Sequence, residues 1–225
     1  MCGRFTLTLN REQLQAAWPQ FRLPPMVQPR YNIAPGQPIV AVPNDGTQQA
    51  TFFLWGLIPA WSPKPRGLIN ARAETLAAKP SFRAAYRRRR CLILADGFYE
   101  WPLGKGEKAP WWFTLQDGRP FALAGLWEMW VAPDGGEIPT CAIITVPANE
   151  VVAPVHPRMP AILPAEAYAA WLDPGERTPE ELQPLLRPYP AQALRGYPVS
   201  PRVNDPRFDD PACLEPYRPA QPRLW

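Results

Sequence analysis

The sequence has only one histidine, His156, and its four cysteines lie far apart without any CxxC pair. A zinc site would have to gather its ligands from distant parts of the chain, so we expect no metal and no other cofactor. The amino terminus lacks the charged and then apolar pattern of a signal peptide, and no apolar run approaches the roughly 18 residues of a membrane-spanning helix. We therefore expect a cytoplasmic protein that does not contact a membrane.

Lysine is also scarce, since only four of the 24 basic residues are lysines and the rest are arginines. The formal net charge is +4 and the sequence pI is about 9.0. This balance fits an anionic partner, but it fits an ordinary soluble protein as well. The planar guanidinium of arginine suits phosphate groups, whereas genome composition or thermal adaptation would produce the same bias.

Proline outnumbers glycine by 33 to 14 across the 225 residues, which predicts many rigid connections between short elements. Turn signals separate runs rich in apolar and aromatic residues, and each signal predicts a hairpin. These turns lie at 43–47, 103–108, 116–120 and 132–137. The flanking runs predict strands at 38–42, 51–58, 90–101, 110–115, 121–130 and 140–146. About six strands are enough to close or nearly close an antiparallel barrel.

Helices are fewer in the sequence and lie outside these runs. Asn10 is a candidate amino-terminal cap for a helix over 10–18, and Thr178 with Glu181 predicts a capping box at the start of 178–186. Further helices are predicted within 81–90 and 163–172. The fold class we predict is α+β, with a curved antiparallel sheet or barrel-like β core and peripheral helices. It forms a single domain over 1–217, followed by a proline-rich tail at 218–225.

The residue after the initiator methionine is Cys2. A small side chain at this position favours removal of Met1, so the mature chain would begin with an amine and a thiol on one residue. An α-amine with a pKa of about 7.7 is a readier nucleophile at neutral pH than a thiol with a pKa of about 8.5. Attack of the amine on an aldehyde gives an imine, and the tethered thiol can then close a thiazolidine ring on the same carbon.

Four further segments hold polar residues in apolar or proline-rich surroundings. They are RYNIAPGQ (30–37), LINARAET (68–75), ADGFYEW (95–101) and VHPRMPAIL (155–163). In this order, and together with the amino-terminal MCGRF, they resemble the SRAP (SOS response associated peptidase) family. The resemblance continues through GYPVSPRVND (196–205) to CLEP (213–216), so it covers nearly the whole chain and implies an SRAP-like fold.

The resemblance implies a role in DNA repair, because SRAP proteins act as abasic-site-processing proteins. In this family the trimmed amino-terminal cysteine captures the ring-opened aldehyde of an abasic deoxyribose in single-stranded DNA. The resulting thiazolidine crosslink shields the lesion. The expected partner is therefore single-stranded DNA containing abasic sites, bound by a monomer that associates with the nucleoid on DNA. Lyase activity and autocatalytic loss of Met1 are related activities that the family's chemistry and name suggest.

The resemblance also assigns catalytic roles to residues beside Cys2. Asn70 would hydrogen-bond the reacting sugar and hold the Cys2 amine in place. Glu100 would carry protons among the amine, the sugar hydroxyl and the imine, and its aromatic surroundings predict a raised pKa. His156 would assist opening of the sugar ring and, in reverse, release of the crosslink. Pro157 stands where the family often has a polar residue, which puts the orientation of the ring and the rate of reversal in question.

DNA contacts are expected from residues beside the catalytic motifs. Arginine can bind a phosphate bidentately and fix the register without reading sequence, so binding should be sequence-tolerant and salt-sensitive. Two prolines would shape the groove, and two tryptophans would stack on or wedge apart the flanking bases. The predicted DNA-binding residues are Arg4, Asn32, Pro35, Trp61, Arg72, Trp101, Arg158 and Pro160.

The run Arg87–Arg90 is the most obvious basic patch, but it follows a helical stretch and precedes an apolar strand. Cations there favourably face a helix carboxyl terminus and water, so we predict a solvated run rather than a DNA contact. We predict that Cys91, Cys141 and Cys213 are small buried hydrophobic residues.

Two other functions remain open on the sequence. One is an amino-terminal-nucleophile amidohydrolase or peptidase, in which the Cys2 thiol attacks an amide and its own amine acts as base. The other is a non-catalytic module that binds single-stranded DNA through a basic groove. Substitution of Cys2 would leave the affinity of such a module unchanged.

Overall fold

In the computed structural model, which describes residues 2–104 and 109–217, short strands dominate and form two sheets. The strands are β1 (Arg4–Leu7), β2 (Arg30–Ile33), β3 (Pro38–Pro43), β4 (Thr51–Trp55), β5 (Asn70–Arg72), β6 (Arg90–Ala95), β7 (Gly97–Glu100), β8 (Trp111–Leu115), β9 (Phe121–Val131), β10 (Glu137–Pro147), β11 (Arg158–Pro160), β12 (Ile162–Leu163) and β13 (Leu194–Pro198). The helices are α1 (Arg11–Ala17), α2 (Arg83–Arg88), α3 (Tyr168–Trp171) and α4 (Pro179–Leu182). Every predicted strand run contains a strand, and the pattern misses six strands, which are β1, β2, β5, β11, β12 and β13.

The larger sheet closes on itself as a barrel in the order β10, β4, β3, β6 and β9, with β9 pairing back onto β10. Most neighbours are antiparallel, but β10 runs parallel to β4, where Thr140 lies opposite Leu54. A ring with an odd number of strands cannot alternate in direction all the way round, so one parallel pair is required. The predicted α+β class with a barrel-like β core is confirmed, and the barrel is mixed because β10 runs parallel to β4 and to β5.

The second sheet has the order β13, β8, β7, β1 and β2, and every pair in it is antiparallel. The chain begins in this sheet with β1 and β2 and returns to it from the barrel at Asp96–Gly97, which divides the predicted strand 90–101 into β6 of the barrel and β7 of the second sheet. The buried Asp96 carboxylate accepts a hydrogen bond from Thr6 Oγ1 at 2.5 Å. A Cβ atom at Gly97 would lie 2.2 Å from Trp112 Nε1, so only glycine fits at the crossing.

Three of the four predicted turns join paired strands. The turns at 43–47 and 132–137 connect β3 to β4 and β9 to β10. The turn at 103–108 connects the paired strands β7 and β8, although residues 105–108 lie outside the described part of the chain. The prediction of a hairpin at 116–120 is wrong, because β8 pairs within the second sheet whereas β9 belongs to the barrel. This turn instead returns the chain from one sheet to the other.

Both predicted helix caps are confirmed, one before α1 and the other before α4. Asn10 accepts from the Gln13 amide and the Gln13 side chain accepts from the Asn10 amide, each at 2.9 Å. Thr178 and Glu181 form the same reciprocal capping box before α4. Such boxes satisfy amide groups that a helix amino terminus leaves without partners. None of the helices within the described ranges is both long and apolar enough to cross a membrane.

The arginine run is mostly bound to protein groups. Arg87 and Arg88 are exposed and both pair with Glu176, at 2.7 and 3.0 Å. Arg90 is fully buried, so the prediction of a solvated run is wrong there. Its guanidinium donates to the carbonyls of Trp171 at 3.0 Å, Arg87 at 2.5 Å and Asp173 at 2.6 Å, which fastens α2 and the 171–175 segment to the barrel.

We expect Arg90→Ala to lower the free energy of unfolding by about 3–5 kcal/mol, because the substitution leaves several buried carbonyls without donors. Chemical denaturation of the two proteins measures the difference. Arg88→Ala is the matched control, since it removes an exposed arginine of the same run and should change stability by no more than about 0.5 kcal/mol. Equal effects of the two substitutions would contradict the assigned role of Arg90.

The C-terminal segment, defined here as residues 199–214, covers one face of the second sheet. Its Val199, Val203 and Cys213 are buried against Tyr99 and Trp112. Cys91 and Cys141 are likewise fully buried, so the prediction for these three cysteines is confirmed. The predicted tail at 218–225 lies outside the described residues, and the single domain over 1–217 stays a prediction.

Candidate active site

Cys2 lies two residues before the start of β1, which runs between β7 and β2 in the second sheet. Its side chain is fully buried, and Sγ lies 3.7 Å from the Arg4 carbonyl oxygen. Burial raises the pKa of the Cys2 thiol well above its ordinary value, and the negative charge of Glu100 raises it further. The thiol is therefore held protonated at neutral pH.

Glu100 reaches Cys2 through the register of the second sheet. Arg4 lies opposite Tyr99 in the β1–β7 pair, so the next residue along β7 lies beside the amino-terminal end of β1. The Glu100 side chain is only 2% exposed, and burial raises its pKa to about 7. A carboxyl group with this pKa is half protonated near neutral pH, so it can both accept and return a proton.

Asn70 opens β5, which extends the barrel by pairing in parallel with β10, where Asn70 lies opposite Ile143. Its Nδ2 donates to the Cys2 carbonyl oxygen at 2.8 Å. Its Oδ1 is buried and accepts no hydrogen bond within the part of the chain that the structure describes. This oxygen can therefore accept from an amine or hydroxyl group placed beside Cys2.

His156 lies just before β11, and its Nδ1 is 3.8 Å from Glu100 Oε2. The same Nδ1 lies 3.0 Å from the Arg158 amide nitrogen and 3.1 Å from the Arg158 carbonyl oxygen, so it accepts from the amide in one tautomer and donates to the carbonyl in the other. Burial lowers the pKa of His156, so the ring is neutral at pH 7. The structure thus brings together all four residues that the sequence predicted as catalytic, at the junction of the two sheets.

The predicted DNA contacts divide into exposed, half-buried and buried residues. Pro35, Trp61 and Arg72 are exposed, and Trp61 has two thirds of its surface accessible, at 67%. Arg72 closes β5, two residues after Asn70, so its side chain starts near the site. These residues stay predicted DNA contacts.

Arg4, Asn32 and Trp101 all bind the C-terminal segment instead of standing free. Arg4 donates to Asn32 Oδ1 at 2.8 Å and to the Val203 carbonyl at 2.6 Å. Trp101 Nε1 donates to Asn204 Oδ1 at 2.7 Å. These bonds position the three side chains along the edge of the site.

Asn32 and Pro160 are buried, so the structure does not support direct DNA contacts from them. The Asn32 side chain donates to the carbonyls of Val203, Asp205 and Phe208 and accepts from Arg4, which uses both of its ends on the protein. Pro160 lies in β11 and pairs with Thr145 of β10. In this structure both residues support the site, and their DNA contacts stay predictions.

Arg158 is also engaged with protein groups. It donates to both carboxylate oxygens of Glu74, at 2.6 and 3.1 Å, and to the Thr145 carbonyl at 2.5 Å. This hydrogen-bonded pair lowers the pKa of Glu74. A phosphate group would have to compete with Glu74 for the guanidinium, so the predicted DNA contact of Arg158 requires that exchange.

The sequence reasoning missed the residues that hold the site together. Asp209 accepts from the amides of Tyr31 and Asn32, at 2.6 and 2.9 Å, and pairs with Arg30. The Asp96 carboxylate binds Thr6 and thereby anchors β1 behind Cys2. An aspartate near the end of a chain carries no local signal of such a role, because its partners lie nearly 180 residues away in sequence.

No group of three or more histidine, cysteine or acidic side chains within 2–104 and 109–217 is arranged to hold a metal ion. A groove of about 680 Å³ lies elsewhere on the molecule, lined among others by Leu115, Tyr168 and Pro188. None of the four predicted catalytic residues lines it.

Comparison with known proteins adds to this geometry. The family described as SOS response associated peptidase (SRAP) matches residues 1–206. The abasic site processing protein YoqW of Bacillus subtilis (strain 168) is 43% identical over 222 residues, covering 96% of this chain and 99% of that protein. The abasic site processing protein HMCES of Gallus gallus is 32% identical over 270 residues, covering 99% of this chain and 80% of that protein. A crystal structure of a Bacteroides thetaiotaomicron protein superposes with a TM-score of 0.85 at 25% identity, covering 96% of this chain and all of that one.

Proposed function

This chain belongs to the SRAP family, and on that premise we propose that it processes abasic sites in DNA by forming a covalent crosslink through Cys2. The observation that carries the proposal is the convergence of Cys2, Asn70, Glu100 and His156 at one place. Relatives named abasic site processing proteins align over nearly the whole chain. The DNA in single-stranded form, the monomeric state and association with the nucleoid belong to the same proposal.

The chemistry begins with removal of Met1, which creates the Cys2 amine. This amine attacks the aldehyde carbon of the ring-opened deoxyribose, and the adduct loses water to give an imine. The thiol then adds to the imine carbon, and its proton passes to the nitrogen. One water molecule leaves overall, and no oxidant or reductant is needed. Because burial keeps the thiol protonated, the amine attacks first.

The neighbouring side chains serve the steps in which protons move. Glu100, with a pKa of about 7, takes a proton from the amine, supplies one to the departing water and takes the thiol proton in the last step. Asn70 Oδ1 accepts from the amine or the sugar hydroxyl while its Nδ2 holds the Cys2 carbonyl. The protonated ring nitrogen of neutral His156 donates to the sugar ring oxygen as the ring opens.

A thiol-peptidase function has less support from the site. Such an enzyme needs a thiolate, and low-pKa cysteines lie in electropositive, partly exposed surroundings. Here burial and the Glu100 charge both raise the pKa of the Cys2 thiol. Strand cleavage by elimination from the imine is compatible with the same intermediate, and we include it in the proposal as a side reaction.

The direct test is to incubate the mature protein with an oligonucleotide carrying one abasic site and to resolve the products under denaturing conditions. We expect a protein–DNA adduct with the single-stranded abasic oligonucleotide and none with an intact oligonucleotide of the same sequence. A duplex carrying the same lesion should give less adduct. No adduct from mature protein, with removal of Met1 verified by intact mass, would refute the proposed chemistry.

We expect Arg72→Ala to weaken binding to single-stranded DNA and to flatten its salt dependence. For every phosphate that the protein no longer neutralises, the slope of log affinity against log salt falls by about 0.7. Fluorescence anisotropy over a series of salt concentrations measures this slope. Arg88→Ala is the matched control, since Arg88 is exposed and paired with Glu176. An unchanged slope for Arg72→Ala would remove Arg72 from the DNA interface.

A further inference from the structure

The Glu74 carboxylate binds the Arg158 guanidinium at the edge of the site. Both carboxylate oxygens accept from Arg158, at 2.6 and 3.1 Å, so the pair is bidentate. The Arg158 side chain is only 15% exposed, whereas the Glu74 side chain is 45% exposed. The carboxylate can therefore turn into water, while the guanidinium is held against the protein.

Thr145 of β10 binds the same guanidinium independently of Glu74. One terminal nitrogen of Arg158 donates to the Thr145 carbonyl at 2.5 Å and lies 3.3 Å from Thr145 Oγ1. Thr145 is fully buried in the barrel. These bonds keep Arg158 in place when the carboxylate leaves. The other terminal nitrogen, which donates to Glu74 Oε1, then needs another acceptor.

A second arginine acts on the same carboxylate. Arg72 closes β5, two residues before Glu74, and its side chain is exposed. In the β5–β10 pair Arg72 lies opposite Thr145, the residue that holds Arg158. The hydrogen bond from Arg158 lowers the pKa of Glu74, and the positive charges of Arg158 and Arg72 lower it further. One carboxylate thus lies in the field of two arginines.

The position that this carboxylate occupies lies beside the candidate catalytic residues. Arg72 follows Asn70 by two residues along β5, and Arg158 follows His156 by two residues. A DNA strand whose sugar reacts at Cys2 carries a phosphate on each side of that sugar. A phosphodiester group is therefore the anion that we expect at this edge of the site.

A phosphodiester and a carboxylate offer arginine the same acceptor geometry. Each has two oxygen atoms that share one negative charge, and the planar guanidinium binds either group through two parallel hydrogen bonds. We propose that Arg158 and Arg72 form a phosphate-binding site that Glu74 occupies in the DNA-free protein and vacates when DNA binds. This role rests on the proposed function: Glu74 weakens the noncovalent binding that precedes the crosslink, because the ion pair must break first.

Binding of an intact single-stranded oligonucleotide, measured by fluorescence anisotropy, tests this role without any crosslink. We expect Glu74→Gln, which has nearly the same shape and no charge, to bind about fivefold more tightly than wild type. Glu74→Asp keeps the charge but is one methylene shorter, so it loses the bidentate pair and should bind about threefold more tightly. The control Glu176→Gln removes a carboxylate that pairs with Arg87 and Arg88, and should change the affinity by less than about 1.5-fold.

The salt dependence of binding shows whether Arg158 takes the phosphate. Adding Arg158→Gln to Glu74→Gln should lower the slope of log affinity against log salt by about 0.7, and an unchanged slope would overturn the proposal. So would Glu74→Gln binding no more tightly than Glu176→Gln, or wild type and all variants failing to bind. Wild-type affinity in Glu74→Asp would also overturn it, because charge repulsion would then explain the gain in Glu74→Gln. Failure of wild type to crosslink abasic DNA would refute the proposed function, whereas these affinities decide the role of Glu74.

Discussion

A Cys2→Ser variant is expected to lose the stable crosslink while retaining a transient one. The substitution keeps the amino-terminal amine, so attack on the aldehyde and loss of water still give an imine. The hydroxyl group is a much weaker nucleophile than the thiol, so ring closure fails and the imine hydrolyses. Denaturing gels should therefore show no adduct after simple incubation, but an adduct when borohydride is present to reduce the imine.

The control for this result is Cys213→Ser. Cys213 Sγ donates to the Phe208 carbonyl at 3.4 Å, and a serine hydroxyl can donate there as well. Unlike Cys2, Cys213 lies far from the amino terminus, in the C-terminal segment. We expect it to crosslink like wild type. Intact mass must first show that Met1 is removed from each variant. An undiminished, borohydride-independent crosslink in Cys2→Ser would exclude the thiazolidine, and loss of the borohydride-trapped adduct as well would exclude the imine.

The sequence motifs identify the candidate catalytic residues, but they do not identify the residues that hold them in place. Cys2, Asn70, Glu100 and His156 lie in short segments with recognisable local patterns, and each segment ends up at the same junction because the two sheets meet there. The register that places Glu100 beside Cys2 is set by the pairing of Arg4 with Tyr99. That pairing is a long-range property, which no local pattern encodes.

Burial is the property that the sequence predicted least well near the site. From the sequence, Asn32 is expected to be an exposed polar residue. In the structure its amide group donates to the carbonyls of Val203, Asp205 and Phe208. Arg90 belongs to a run that is typical of a solvated patch, yet its guanidinium is enclosed by carbonyl groups. In both cases the partners lie far away in the sequence, and hydrogen bonds to them offset the cost of removing a polar side chain from water.

The division of the run 90–101 into two strands has a local cause that could have been recognised. A glycine within an apolar run indicates a bend or a close backbone approach. Asp96–Gly97 combines that glycine with an acidic residue, which is rarely buried unless it is hydrogen-bonded. The same step moves Glu100 out of the barrel and into the second sheet, where it meets Cys2. The position of Glu100, the proposed proton carrier, thus depends on Gly97.

Glu100→Gln is expected to slow crosslinking by about a hundredfold or more at neutral pH, which is the range for loss of a general acid–base group. The glutamine has nearly the same shape, but it can neither take the proton of the amine and thiol nor supply one to the departing water. Single-turnover rates with an abasic oligonucleotide measure this loss. A rate within a few-fold of wild type would show that the protons move through solvent or through His156 instead.

The same substitution should also change how the free energy of unfolding depends on pH, because burial raises the pKa of Glu100 to about 7. Between its ordinary value of about 4.3 and 7, the folded protein binds more protons at this carboxyl than the unfolded chain does. Stability from Glu100 is therefore present below about pH 4 and is lost as the pH rises through 7. Relative to wild type, Glu100→Gln should gain up to about 3 kcal/mol of unfolding free energy between pH 4 and pH 8.

The contrast with Glu128 isolates the cause of that gain. Glu128 is also buried, but its carboxylate pairs with Arg89 at 2.6 Å, so Glu128→Gln removes a charge that has an opposite partner. We expect this control to be less stable than wild type at neutral pH, because Arg89 then loses its partner. If Glu100→Gln lowered the free energy of unfolding at pH 8 as Glu128→Gln does, the Glu100 carboxylate would be a stabilising anion rather than a group that exchanges protons. A gain for Glu100→Gln together with slower crosslinking would show that the fold gives up stability to keep this proton carrier beside Cys2.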